Sequence, residues 1–138
     1  MKDLEAMESF LNTRLRAVAP SGVRVAPGPV PIQLGTERNI IYEVLSARDL
    51  TTDGINPVYT TFIVKVVGVA VGENIQPVAD LSRLIHQALQ KTRETNAYGH
   101  VFSCYRDSIF RMPARSEKTG QIYQQLGGIY RIRARGSA

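Results

Sequence analysis

The sequence predicts an α+β domain in which two helices pack on one face of a mostly antiparallel sheet made of two long hairpins. Three observations predict it. Two segments carry apolar residues at three- and four-residue steps, which is the period of an amphipathic helix. Long runs rich in β-branched and aromatic residues come in pairs, one pair before the second helical segment and one after it. The 138 residues show no repeat or low-complexity tract and make one domain, 1–138, long enough to bury a core without staples.

Residues 3–18 read as the first helix. Leu4, Met7, Leu11, Leu15 and Val18 form its apolar stripe, Asp3 is the expected cap, and Pro20-Ser21-Gly22 stops it. "VRVAPGPVPIQLG" follows, with Pro27, Pro29 and Pro31 forbidding helix; the reading is a short strand at 23–26 and an ordered loop to Gly35. "NIIYEVLSARDL" and "PVYTTFIVKVVGVAVG" are strands joined at Asp53-Gly54 as a hairpin. The second of these is apolar on both faces, Phe62, Val64 and Val66 on one and Ile63, Val67 and Val69 on the other, so the second face calls for a cover, and another subunit is a candidate. Residues 75–93 read as the second helix, with Asn74 as cap and Val78, Leu81, Ile85, Ala88 and Leu89 as its buried stripe. "HVFSCYRDSIFRM" and "QIYQQLGGIYRIRAR" are the last two strands, joined by the polar "PARSEKTG", and Gly127-Gly128 marks a bulge or a close backbone approach.

Composition narrows the function. The formal charge is +5, and beyond His100 seven basic residues stand against two acids, so the last third carries the whole surplus. That asymmetry suits an anionic partner or a solvated face. A single cysteine, Cys104, excludes an internal disulfide framework and fits a reducing compartment. "MKDLEAMESFLNTRL" is too charged for a secretory signal, and no apolar run approaches a membrane span, so the expectation is a soluble cytoplasmic protein with no membrane partner.

Signals for catalysis are poor, and the expectation is no enzyme, no catalytic residue, no metal and no cofactor. Cys104 and His100 lie four apart in a strand, on one face but about 13 Å apart, beyond reach for a thiolate–imidazole pair. Cys104 reads as a packing residue. His86 falls beside Ser82 and Gln90, away from the apolar stripe, and reads as a surface histidine. Asp49 and Asp53 flank a turn, and Gly68 and Gly72 lack the spacing of a phosphate-binding loop.

The arginines remain. Tyr130, Ile132 and Ala134 alternate with Arg131, Arg133 and Arg135, so in a strand the three arginines share one face. One reading is an edge strand guarded by charge against pairing. The other joins the row to Arg111, Arg115 and Lys118 of the neighbouring strand and loop as one basic patch. Tyr130 faces away from the row and no helix is markedly basic, which argues against base readout and leaves phosphate backbone or acidic protein as partners.

The order of these elements, with stretches such as "IYEVLSARD", "VADLSRLIHQAL" and "GGIYRIRA", resembles the tail-terminator (tail-completion, or minor tail) proteins of long-tailed bacteriophages over residues 2–135. The resemblance implies a structural virion protein of the tail and neck, assembled in the host cytoplasm as a hexameric ring. The ring caps the last ring of tail-tube protein, halts polymerisation, joins the head connector or head-closure protein, and passes DNA through its lumen with at most non-specific contact. On that reading Arg131, Arg133 and Arg135 face the lumen or a neighbouring subunit. Arg111, Arg115, Lys118, Pro27, Pro29 and Pro31 belong to axial or lumenal loops. Another phage neck or tube ring of the head-closure type, or a sequence-independent nucleic-acid-binding module, are the alternatives.

Overall fold

The computed structural model describes residues 2–28, 38–52, 56–115 and 120–136. Helix α1 (Lys2–Val18) opens the chain, followed by strands β1 (Arg24–Pro27), β2 (Asn39–Thr52) and β3 (Asn56–Val71). Helix α2 (Gln76–Leu89) leads into β4 (Glu94–Asn96), β5 (Gly99–Arg115) and β6 (Ile122–Gly136). All six strands form one sheet in the order β1-β2-β3-β6-β5-β4. Both expected hairpins are present, β2 with β3 and β5 with β6, and β3 pairs antiparallel with β6 to join them. β1 runs parallel to β2, so the sheet is mixed. Turn residues fix the direction of hairpin partners, but they say nothing about a strand joined to its neighbour by a long segment.

Both helices lie on one face of the sheet. Met7, Phe10, Leu11 and Leu15 of α1 and Leu81, Ile85, Ala88 and Leu89 of α2 close over Phe62, Val64, Val66, Tyr130 and Ile132. Each fully buried large side chain in this layer stabilises the fold by roughly 1.5–3 kcal/mol. Gly68 sets how near α2 comes: a Cβ there would lie 2.5 Å from the Leu81 Cβ. Asp3 does more than end a helix. Its carboxylate accepts from the Gly136 amide at 2.7 Å and from the Thr60 hydroxyl at 2.5 Å, tying α1 to the end of β6 and to β3.

α2 stops at Leu89, four residues before the expected end. Gln90 turns extended, the Lys91 amide donates to the Cys104 carbonyl, and the Gln90 side-chain carbonyl accepts from the Arg106 amide. The chain is thus recruited to the outer edge of β5, where residues 94–96 add a short strand, β4, for which the sequence offers no signal. At the other end the cap position is Ile75 rather than the expected Asn74, which sits one residue before it and accepts from the Gln76 amide at 3.0 Å.

The second face of the sheet carries its own small core. Ile41, Val67 and Val69 are buried there with Val71, Phe110 and Tyr123 packed against them. The Lys65 ammonium sits 5.0 Å from the Phe110 ring centre and 3.4 Å from the Glu43 carboxylate. The cover that the sequence called for is therefore supplied at this end by the chain itself. Gly127 and Gly128 form no bulge. They are close-approach positions: a Cβ at Gly127 would strike the Val66 carbonyl of β3, and one at Gly128 would fall 2.6 Å from the Arg106 side chain.

Candidate functional site

The remaining part of the open face is basic and aromatic. β6 alternates as expected: Tyr130, Ile132 and Ala134 are buried under the helices, while Arg131, Arg133 and Arg135 stand on the opposite side. β6 is an inner strand, flanked by β3 and β5, so the charge-guarded edge reading is wrong. The outer strands are β1 and β4. In register, Arg131 lies between Ile63 and Tyr105, Arg133 between Thr61 and Ser103, and Arg135 beside His100.

Three β-bulges complete the site, and simple alternation missed each. Counting from Ile40 and Tyr42 assigns Arg48 to the core side, but an irregularity between Val44 and Ser46 turns Arg48 outward, opposite Thr61. A second irregularity, between Val101 and Ser103, inserts Phe102, which is 46% exposed, and separates His100 from Cys104. Those two do not share a face: Cys104 is in the core and His100 is exposed. A third, between Arg106 and Ser108, presents Asp107, whose carboxylate takes both Nε (3.2 Å) and Nη2 (3.0 Å) of Arg131. Bulges re-aim side chains in this way by placing two residues opposite one.

The result is an open groove of about 540 Å³ lined by Ser46, Arg48, Tyr59, Thr61, Ile63, Arg131 and Arg133, with one carboxylate, Asp49, among them. The Arg133 guanidinium lies 5.6 Å from the Tyr59 ring centre, Tyr59 meets Phe102 edge-on at 6.2 Å, and Phe102 stacks on His100 at 6.1 Å. Tyr59 and Phe102 come from strands distant in sequence, which is why reading β6 alone found no aromatic beside the arginines. Arg131 is neutralised, and the hydrogen bonds and charge of Asp107 raise its already high pKa. Arg48, Arg133 and Arg135 have no acidic partner among the described residues. The Arg133 Nε and the Ser103 hydroxyl beside it are buried without a hydrogen-bond partner.

The remaining expected site residues lie elsewhere. Arg111 registers with Leu126 and Arg115 with Ile122, so Arg111 is five residues along β6 from the level of Arg131, about 17 Å away. The single basic patch suggested by the sequence is thus divided between two ends of one hairpin. Pro27 ends β1 on the outer edge, opposite Tyr42. Lys118, Pro29, Pro31 and Asp53 lie outside the described residues.

Cys104 and His100 form no catalytic pair, since one is in the core and the other on the open face. Burial pushes the Cys104 thiol up to about 12, so almost none is thiolate at neutral pH. Cys104 is expected to resist alkylation in the folded protein and to react on unfolding in urea; a thiol assay with and without denaturant checks this. His86 is half-buried rather than on the surface, with Nδ1 3.3 Å from the Tyr130 hydroxyl. Desolvation, and then the Arg106 charge, lower its pKa below the usual 6.5. The unfolded chain therefore takes up the proton first as pH falls, so this contribution to stability is whole above about pH 6.5 and declines below it. The urea midpoint of wild type is expected to drop more than that of His86→Gln between about pH 7.5 and about pH 5.5. The Asp49 carboxylate lies 2.6 Å from the Thr60 hydroxyl, whose single proton it shares with Asp3, a structural role. Among the described residues there is no cluster of three or more metal-binding side chains and no helix long and apolar enough to cross a membrane.

The fold resembles a chain from the "virion of native gene transfer agent (GTA) particle", with a TM-score of 0.60, 13% identity and 98% of each chain covered. At that identity the likeness is one of fold. No family model and no curated protein matches the sequence.

Proposed function

We propose that the chain is a non-enzymatic structural virion protein that caps a phage tail tube as a hexameric ring. The observation that carries this reading is a fold shared end to end with a virion chain, joined to an element order that resembles tail terminators. The ring stops tube polymerisation and forms the joint to the head connector, and DNA passes through its lumen. Its mechanism is geometric. Each tube ring exposes the surface that the next ring binds, and a terminator copies the docking half of that surface while replacing the other half with one that the head recognises. Ring closure needs head-to-tail contacts between unlike surfaces of neighbouring copies. The mixed sheet supports this, because its two edges differ: β1 lies parallel to its neighbour and β4 antiparallel.

Adding the purified protein to growing tubes of the cognate tube protein tests the reading in bulk. Growth, followed by light scattering, is expected to stop at substoichiometric amounts. Unchanged growth overturns the proposal, as do long tubes formed by this protein alone, which identify a tube protein instead.

A further inference from the structure

We propose that the groove between β2, β3 and β6 binds the phosphate backbone of duplex DNA, with Arg48 and Arg133 as its cations and Arg135 flanking it along β6. Four observations carry this. Arg48, Arg133 and Arg135 lack acidic partners among the described residues, whereas Arg131 is occupied by Asp107. Arg133 and Arg135 are two residues apart on one strand, about 7 Å, a spacing that suits successive phosphates. Tyr59 lies against the Arg133 guanidinium and Phe102 against Tyr59, so part of the ordering cost of the arginine is met before a ligand arrives. The Arg133 Nε and the Ser103 hydroxyl, registered side by side and buried, have no hydrogen-bond partner among the described residues, so Arg133 gives up no bond when its outer nitrogens meet a ligand.

The groove is an open trough, and arginine contacts to phosphates are blind to sequence, as backbone contacts are. The choice of duplex DNA as occupant rests on the conduit reading above. The position of the site rests on the groove alone.

The test is anisotropy titration of a labelled duplex with the full-length protein across a salt series. Wild type is expected to lose affinity as salt rises, with a slope set by the phosphates neutralised. Arg48→Gln and Arg133→Gln should each reduce that slope by about one unit, and Arg133→Lys should restore it. Arg111→Gln, at the far end of the hairpin, should leave it unchanged. Thermal melts confirm that each variant is folded. Salt-independent or absent binding overturns the inference, and so does an equal loss in Arg111→Gln. A third overturning result is that Arg48→Gln and Arg133→Gln leave DNA binding intact but lower the oligomer mass by light scattering, which marks the groove as a subunit contact. Tube-growth arrest by the same variants separates the two claims: arrest without DNA binding defeats only the groove, and DNA binding without arrest defeats only the cap.

Discussion

Gly127→Val is expected to destabilise the protein by about 3 kcal/mol or more, the upper end of what overpacking costs. A side chain at this position meets backbone rather than other side chains: its Cβ strikes the Val66 carbonyl and lies 2.7 Å from the Val67 Cα. Rotamer changes cannot relieve such a contact, and β3 and β6 would have to part. These are the two central strands, and they carry Phe62, Val64, Tyr130 and Ile132 into the main core. A loss of that size is a large share of the ~5–15 kcal/mol that holds a domain together. Urea unfolding checks it, the midpoint falling with little change in slope. A shift of under ~1 kcal/mol would mean that β3 and β6 are not so closely apposed.

The second large effect is functional. Reversing Arg131, Arg133 and Arg135 to glutamate together should leave the fold in place, because all three stand on the face opposite the helices and none contributes to the main core. Arg131→Glu sets a like charge against Asp107, but at an exposed site where water screens the pair. Joining of heads to tails, or retention and passage of DNA, should collapse. Like charges brought together at an interface cost several kcal/mol, and each ~1.4 kcal/mol is tenfold in an equilibrium, so productive joining should fall by at least about a hundredfold. Complementation of a phage lacking the gene, scored as infectious particles, measures this. Normal yield from a folded triple variant would leave the row without a functional role.

The sequence shows its helices and hairpins plainly because their signals are local. The stripe Val78–Leu81–Ile85–Leu89 buries as its spacing demands, and the Arg131–Arg135 alternation puts arginines on one face and Tyr130, Ile132 and Ala134 on the other. What stayed hidden depends on pairing between distant residues. That β6 is central and not at an edge follows from its pairing with β3, some 70 residues away in the chain. Arg48, Phe102 and Asp107 reach the open face through bulges, and a one-residue shift reverses every prediction made by counting in twos. α2 ends early because Lys91 and Gln90 find partners on β5, a tertiary bond that no local propensity encodes. Cys104 was correctly read as core, but its separation from His100 was argued from length along a regular strand, when the two in fact lie on opposite faces.

The central claim is that this chain sits at the end of a tube, and electron microscopy of tube tips tests it most directly. Tubes grown with the protein present, and carrying a label on its C-terminus, should be arrested in length. They should bear one labelled ring of six copies at a single end, which then accepts the head connector. Label spread along the tubes, or tubes of unrestricted length with bare ends, would contradict the account.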